Sequence, residues 1–422
     1  MLDVAVLIIN FLAALYFIKK RSLALLGYII FFQEVHLVPF AILELEVYGY
    51  IYYVVIVTLY LVSITNLKFS KSWFNFLLYD NAARALILIT FGVFIHVLLG
   101  VHTEIAGVLV SRYFFQVVPA MIFLVLVLGN NINVDELQKG IMLYGGFLFL
   151  ILVLTTDVLS MAPLSRGHVK EETYISPIAM SRMGGVLFIA AFFSLFNKNS
   201  FQAQNKIFAY VIIGISLVMI ALGMSRGPLI SLLTALFVYV AFYSFDRFQF
   251  FLKASSFIVP VVLVAGFVLI NYDFKVVEMY VDRLKELQDL QEIGRYQRYE
   301  LFFLYLINDL RIFSFEFLWG WGPDGFNKVF GMGYVHNFIM ESIFEYGLIG
   351  LVFIVLFTFS SFKKTFIIMR SKVPHHYLFI PLIFVMLYTA SMFSGDLIAR
   401  RNLFFISIVQ ISLYYTIKKN KL

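Results

Sequence analysis

Long apolar runs constrain this chain more than any other feature. They are about 17–22 residues long with short polar breaks, close to the roughly 20 residues that a helix needs to cross a bilayer. An outer-membrane barrel would instead alternate apolar and polar residues over about ten-residue segments. Charged residues make up only 14% of the chain, too few for the surface of a soluble enzyme. The pattern predicts an all-α, polytopic transmembrane helical bundle.

We predict about 12–13 spans, because either the second or the third is weak. Short polar breaks separate them, so we expect a single membrane domain over residues 1–422. The predicted spans are approximately 2–18, 22–43, 47–67, 85–101, 105–128, 140–161, 177–196, 207–224, 227–245, 254–272, 338–360, 377–394 and 402–417.

Basic residues predict the orientation of the chain. Lys19, Lys20 and Arg21 directly follow the first span. Because cytoplasmic loops of membrane proteins are rich in Lys and Arg, this junction is predicted to be cytoplasmic and the N-terminus to lie outside. The net charge of +7 has the same explanation, so it does not indicate a nucleic-acid partner.

Two predicted outer segments are longer than simple turns. The first covers residues 162–176, and the second is a long outer loop at 273–335 that we expect to contain helices. Within it, residues 276–290 place apolar side chains on one helical face, which predicts an amphipathic helix. That helix could lie on the membrane or pack on the bundle.

Three arginines fall inside or beside predicted spans, where a charge is costly unless it is paired or hydrated. They are Arg112, Arg182 and Arg226, and each lies near an outer helix end. Arg226 stands in a Ser-Arg-Gly-Pro break, where the start of the next helix also favours an anion. These three arginines predict a site for a lipid phosphate, since the planar guanidinium group of arginine can donate two hydrogen bonds to a phosphate. The structural alternative is that each arginine pairs with an acid or reaches the interface.

The long outer loop carries further polar and aromatic candidates. Arg295 and Arg298 are three residues apart and would share a helix face. Trp319 and Trp321 lie in a Trp-Gly-Trp-Gly-Pro segment, which predicts a rigid aromatic platform that suits sugar rings. Tryptophans that simply line the membrane interface are the competing interpretation.

A histidine and two acids follow at the boundary between the loop and the eleventh span. His336 lies at this boundary, where it could act as a general base or acid near neutral pH. Glu341 and Glu345 are four residues apart on one helix face. Glu341 could orient His336 or a sugar, or it could merely stabilise the helix N-terminus.

Metal and thiol chemistry find no support in the sequence. The chain has no cysteine, which rules out disulfides, iron–sulfur clusters and thiolate zinc sites. Its histidines and acids show no recognisable metal-ligand spacing. We therefore predict no cofactor and no metal.

The order and spacing of these elements resemble the signature of the bacterial O-antigen polymerase and O-antigen ligase superfamily, over about residues 180–355. The segment around Arg182, Arg182-Met183-Gly184-Gly185, resembles the family's earlier arginine element without its usual following turn. The other matching elements are Ser225-Arg226-Gly227-Pro228-Leu229, Gly294-Arg295, Gly320-Trp321-Gly322-Pro323, His336-Asn337 with Glu341, and Tyr346-Gly347-Leu348-Ile349-Gly350.

The resemblance implies a glycosyltransferase of the bacterial inner membrane with its active site on the periplasmic face. Its substrates would be glycans linked to undecaprenyl diphosphate. A polymerase transfers the growing chain onto the next lipid-linked repeat unit, whereas a ligase transfers the finished chain to lipid A–core. The implied partners are these glycans, membrane lipids and a chain-length regulator protein, with no nucleotide sugar or metal.

The resemblance also implies roles for the candidate residues. Arg226 and His336 are the predicted catalytic residues, with His336 as the base for the acceptor hydroxyl. The predicted ligands of the diphosphate are Arg182, Arg226, Arg295 and Arg298. The predicted contacts to the acceptor sugar are Trp319, Trp321, Asn337 and Glu341.

Three alternatives stay open. An O-antigen ligase is the alternative within the family, and we favour the polymerase. A flippase or other transporter of lipid-linked oligosaccharides is the alternative of another class, although transporter sites usually lie at the membrane midplane. A purely structural scaffold would leave the ordered arginine–histidine series unexplained.

Overall fold

The computed structural model describes most of the second half of the chain and parts of the first. The described residues are 27, 29–31, 79–98, 107, 110, 113–128, 133–155, 177–197, 203–223, 225–242, 294–309, 314–333, 335–371, 373–393 and 401–419. Every regular element among them is helical. The helices are α1 (Asn81–Leu98), α2 (Val118–Leu128), α3 (Val134–Thr155), α4 (Pro177–Ser194), α5 (Ala203–Gly223), α6 (Arg226–Phe242), α7 (Gly294–Leu304), α8 (Phe315–Trp319), α9 (Gly325–Phe330), α10 (Phe338–Arg370), α11 (Phe379–Ser391) and α12 (Arg401–Lys419).

Four of these helices, α1, α3, α5 and α10, are long and apolar enough to cross a membrane. Shorter apolar helices lie beside them, among them α4, α6 and α11. The chain is therefore a helical protein with the features of a membrane protein. The predicted spans at 2–18, 47–67 and 254–272, and most of 22–43, lie outside the described residues, as do Arg112 and the segments 162–176 and 276–290.

Helix boundaries agree with the predicted spans at some ends and differ at others. The predicted span at 177–196 corresponds to α4, and the one at 402–417 corresponds to α12. Helix α3 begins six residues before the predicted span, because Asn133 caps it: its Oδ1 accepts a hydrogen bond of 3.3 Å from the amide of Glu136. Helix α10 continues ten residues past the predicted end at 360, through Lys363 and Lys364.

Helix α4 lies at the centre of the bundle and contacts α3, α5, α6 and α11. Its two adjacent glycines, Gly184 and Gly185, permit this close packing. A Cβ on Gly184 would lie 2.8 Å from the carbonyl oxygen of Ser216 on α5, and a Cβ on Gly185 would lie 2.9 Å from the sulfur of Met386 on α11. Small residues allow neighbouring helices to approach in this way in membrane bundles.

The bundle has two distinguishable ends. At one, the lysine end, Lys364 of α10 forms an ion pair of 3.0 Å with Asp80, which precedes α1. His376, in the segment before α11, also lies at this end, 2.8 Å from Asp135 at the start of α3.

At the other end of the bundle, the cap end, α7, α8 and α9 form a cap over the start of α10. A small apolar cluster holds the cap together: Phe302, Tyr305, Phe326, Val335 and Phe344.

Candidate active site at the cap end

A break in α10 provides the attachment point for the cap. Gly347 has φ 61° and ψ −149°, which is not helical. Just before it, the carbonyls of Phe344 and Glu345 accept hydrogen bonds from the amides of Trp321 (2.9 Å) and Gly322 (2.8 Å). A break in an apolar helix is tolerated when neighbouring groups form hydrogen bonds with the backbone groups that the break leaves unpaired. The Gly-Trp-Gly-Pro segment therefore binds α10 through its backbone.

This attachment requires glycine on both sides. Gly320 has φ 77°, and a Cβ there would collide with the carbonyl group of Glu345. A Cβ on Gly347 would lie 2.6 Å from the carbonyl carbon of Leu318. The glycines of this motif are thus explained by backbone-to-backbone contact.

Glu345 completes the same attachment with its side chain. The carboxylate is 5% exposed, and its Oε1 accepts a 3.0 Å hydrogen bond from the backbone amide of Asp324. Asp324 itself has a positive φ of 62°. The Glu345 carboxylate therefore positions the turn that follows the two tryptophans.

The two tryptophans have different surroundings. The Trp321 ring packs against the cap cluster, its indole nitrogen donates a 2.7 Å hydrogen bond to Tyr305, and the Lys328 ammonium lies 6.0 Å from the ring centroid. Trp319 is half-buried, and its carbonyl lies 2.9 Å from Nε2 of His96 on α1. Because a carbonyl oxygen only accepts, Nε2 of His96 must be the donor. A sugar contact by either tryptophan stays a prediction.

An apolar cavity of about 420 Å³ opens beside Trp319, between α1 and the first half of α10. His96 lines it at the cap end, with its ring in edge contact with Tyr346 at 5.5 Å between centroids. Exposed Phe91 and Val352 form part of its rim. No sequence pattern singles out His96, because only the packing of α1 on α10 brings it to Trp319.

His336 occupies a strained position between the cap and the bundle. It has φ 64°, an uncommon value for a residue other than glycine. Val335, directly before it, is buried in the cap cluster, and Phe338, two residues later, is buried in the main core. Strained residues of this kind cost about 1–3 kcal/mol and concentrate at functional sites.

Asn337 and Glu341 frame the first turn of α10 next to His336. The Asn337 Oδ1 accepts hydrogen bonds from the amides of Ile339 (3.0 Å) and Met340 (3.2 Å), so this side chain is the N-cap of the helix. Glu341 is only 1% exposed. A sugar contact by either residue stays a prediction, and the capping bonds already occupy the Asn337 carbonyl.

Arg182 lies on α4, slightly more than one turn from its start, and is 9% exposed. The sulfur of the neighbouring Met183 lies 3.9 Å from the side-chain nitrogen, Nδ2, of Asn402 at the start of α12. Phe404, half a turn later, contacts Phe338 with 6.4 Å between ring centroids. Together these contacts bring the starts of α10 and α12 to the level of Arg182 at the cap end.

Two polar residues at the start of α12 join the candidate site, although the sequence patterns did not identify them. Arg401 is 9% exposed and Asn402 is 2% exposed. The Asn402 Oδ1 is buried and has no hydrogen-bond partner in the described part of the chain. The available signal was an arginine pair, Arg400 and Arg401, directly before an apolar run.

The remaining predicted arginines, Arg226, Arg295 and Arg298, lie on helices α6 and α7. Arg226 is the first residue of α6, as the Ser-Arg-Gly-Pro break predicted. The adjacent Gly227 packs near Phe393 after α11, where a Cβ would lie 3.1 Å from the Phe393 Cβ. Arg295 and Arg298 both lie on α7, so they are separated by about one helical turn as predicted, and Arg298 is half-buried.

Comparisons with known proteins leave the family open. No protein-family model matches the chain, and no curated protein matches it significantly. The functional argument therefore rests on the residues and their arrangement.

Proposed function

We propose that this chain is a polytopic membrane glycosyltransferase of the O-antigen polymerase type. In this proposal it crosses the bacterial inner membrane 12–13 times and acts at the periplasmic face on glycans linked to undecaprenyl diphosphate. The observation that carries the proposal is the position of His336. It is held in a left-handed conformation two residues before α10, five residues before buried Glu341 and at the bundle end where Arg182 is buried.

The proposed reaction is a glycosyl transfer. A hydroxyl of the acceptor repeat unit attacks the anomeric carbon of the donor chain, and a new glycosidic C–O bond forms. The bond from that carbon to the diphosphate oxygen breaks, so undecaprenyl diphosphate leaves with the bonding electrons. His336 takes the hydroxyl proton as general base. Positive side chains stabilise the negative charge that develops on the leaving diphosphate.

The charges that the bundle buries near the cap end suit this leaving group. Arg182 and Arg401 are each 9% exposed, and α6 begins at Arg226. We assign the diphosphate to Arg182 and Arg226, with Arg401 as an additional ligand and with Arg295 and Arg298 reaching from the cap. Arginine is suited to this role because its fork binds two phosphate oxygens at once.

The cavity beside Trp319 supports a lipid-linked substrate. Its wall is apolar, and it opens between α1 and α10 beside the exposed apolar side chains of Phe91 and Val352. An isoprenoid tail could therefore lie there while the diphosphate and sugars remain at the cap end. Trp319, Trp321, Asn337 and Glu341 are the residues that we propose to contact or orient the acceptor sugar.

The test is complementation of a deletion strain with single variants. Arg226→Ala and His336→Ala should each abolish polymerisation, leaving core with a single repeat unit, while the protein still reaches the membrane. Arg370→Ala, an exposed arginine at the lysine end, should restore wild-type chain length. Surface polysaccharide gels and an immunoblot of membranes provide the measurements.

Other outcomes would select the alternatives. Wild-type chain lengths in the His336 or Arg226 variant would remove that residue from the mechanism. If deletion abolishes attached glycan and leaves long chains on the lipid carrier, the protein is a ligase. If undecaprenyl-linked repeat units accumulate on the cytoplasmic face instead, it is a flippase.

A further inference from the structure

A second cavity of about 420 Å³ lies at the lysine end, between the start of α1, the second half of α10 and the end of α12. Its wall combines polar groups with apolar side chains, unlike the cavity beside Trp319. On α10 this wall runs from Val355 to Ile367, whereas the wall of the cavity beside Trp319 runs from Ser342 to Ile354. The two cavities therefore lie on successive parts of the helix, one towards the lysine end and the other towards the cap end.

The deepest charges of this cavity neutralise each other. Asp80 and Lys364 are 3.0 Å apart, and both are almost fully buried. Asp80 also accepts hydrogen bonds from the amides of Ala82 and Ala83, and Lys364 donates to the Ser360 hydroxyl at 2.6 Å. These contacts account for most of the bonding capacity of both groups. The pair therefore builds the cavity rather than binding a ligand in it.

Lys363 leaves one positive charge at the mouth of the cavity. It is exposed, lines the cavity, and makes no hydrogen bond or ion pair with any residue that the structure describes. The half-buried Tyr414 also lines the cavity and carries a hydroxyl donor. These groups together favour an anion.

An apolar stripe leads from Lys363 towards the middle of the membrane. Val352, Leu356 and Phe359 precede Lys363 on one face of α10, and they are 47%, 41% and 73% exposed. From Val352 to Lys363 the helix rises about 16 Å at ~1.5 Å per residue, roughly the depth of one leaflet. A chain lying on this stripe would have its polar end at Lys363.

We propose that this cavity binds one anionic phospholipid of the leaflet at the lysine end. The lipid phosphate lies against Lys363 and Tyr414, and one acyl chain follows Val352, Leu356 and Phe359. The unbalanced positive charge selects a lipid with net negative charge over a zwitterionic one, as basic pockets between membrane helices do. The bound lipid joins α1, α10 and α12 and stabilises their packing.

The experiment uses purified, delipidated full-length protein. Native mass spectrometry measures retention of phosphatidylglycerol against phosphatidylcholine, and a melting curve measures stabilisation by each lipid. Wild-type protein should retain phosphatidylglycerol preferentially and melt at a higher temperature with it. Lys363→Gln should reduce retention about fivefold, the effect of one basic residue near an anionic lipid. Arg370→Gln, which removes an exposed charge of the same helix outside the cavity, is the matched control.

Three results would overturn the proposal. Equal retention of the two lipids by wild-type protein would mean an unspecific lipid layer. Equal losses in the Lys363 and Arg370 variants would mean a diffuse effect of surface charge. Stabilisation by inorganic phosphate as strong as by phosphatidylglycerol would mean a site for free phosphate.

Discussion

At the residue scale, Asn402 combines deep burial with an unsatisfied side-chain oxygen. Its amide is 2% exposed, its nitrogen lies 3.9 Å from the Met183 sulfur, and its Oδ1 is buried without a partner in the described structure. A buried polar atom without a partner costs about 1–3 kcal/mol. Stability alone does not explain this residue, whereas a substrate hydroxyl that donates to Oδ1 would.

We predict that substituting Asn402 affects the stability and the activity of the protein differently. Asn402→Leu removes the unsatisfied polar group, so the purified protein should melt at or above the wild-type temperature. Chain polymerisation in the complemented deletion strain should fall strongly. Full activity of this variant would show that Asn402 does not contact the substrate.

Gln410, two turns further along α12, provides the control. Its Nε2 donates 2.8 Å hydrogen bonds to the Ser361 carbonyl and the Thr365 hydroxyl on α10. Its Oε1, like the Asn402 Oδ1, is buried without a partner among the described residues, so Gln410→Met removes one unsatisfied atom together with the two bonds. This variant should leave polymerisation intact, and the polysaccharide gel should therefore distinguish it from Asn402→Leu.

At the element scale, the structure depends on how the cap attaches to α10. Two backbone hydrogen bonds, to the carbonyls of Phe344 and Glu345, connect the segment after α8 with the break in the helix. The Glu345 carboxylate adds a third contact to the amide of Asp324. Since Val335 is buried in the cap and Phe338 in the bundle, the geometry of this attachment also determines the position of His336.

Alanine substitutions at two glycines of positive φ test this attachment. Gly347→Ala should destabilise the protein by well over ~1–2 kcal/mol, because a ψ of −149° at positive φ is a conformation that essentially only glycine adopts and because its Cβ would meet the backbone of Leu318. Gly331→Ala has φ 68° and ψ 17°, the ordinary left-handed region, and no atom within 4 Å, so it should cost only that smaller strain. Thermal unfolding of the purified proteins measures both, and equal losses would contradict the special role of Gly347.

At the scale of the whole molecule, the lysine end brings together residues from segments that the alternation of predicted spans places on one side of the membrane. Asp80, Asp135, Lys364 and His376 all lie in or beside segments that the sequence assigns to one side of the membrane. The structure brings these four residues together in pairs at the lysine end. Their grouping follows from helices that alternate in direction, and which side they face stays a prediction from the positive charges.

The orientation can be measured by cysteine labelling, since the chain has no cysteine of its own. Met332→Cys, an exposed position between α9 and α10, should react with an impermeant maleimide in intact spheroplasts. Lys419→Cys, at the end of α12, should react only after lysis. The reverse pattern would place the cap in the cytoplasm, and labelling of both from one side would mean an even number of crossings among α10, α11 and α12.

Part of the candidate site was predictable because it depends on local sequence. Arg226 at a helix start follows from the Ser-Arg-Gly-Pro break, and Asn337 directly precedes an apolar helix, where a capping residue is common. Arg401 could have been found from its place before an apolar run. His96 could not, because its contact with Trp319 joins residues 223 positions apart.

The sequence by itself determined the helical class, the approximate ends of the helices around the site, and the grouping of basic residues. Each depends on the length of an apolar run, on a capping side chain or on charges beside a span, and all of these are local. Only the tertiary structure decided that Gly347 breaks α10, that Glu345 supports the turn after Trp321, and that Asn402 lies beside Met183. The physical reason is that a buried polar contact between distant residues exists only after packing has placed both helices.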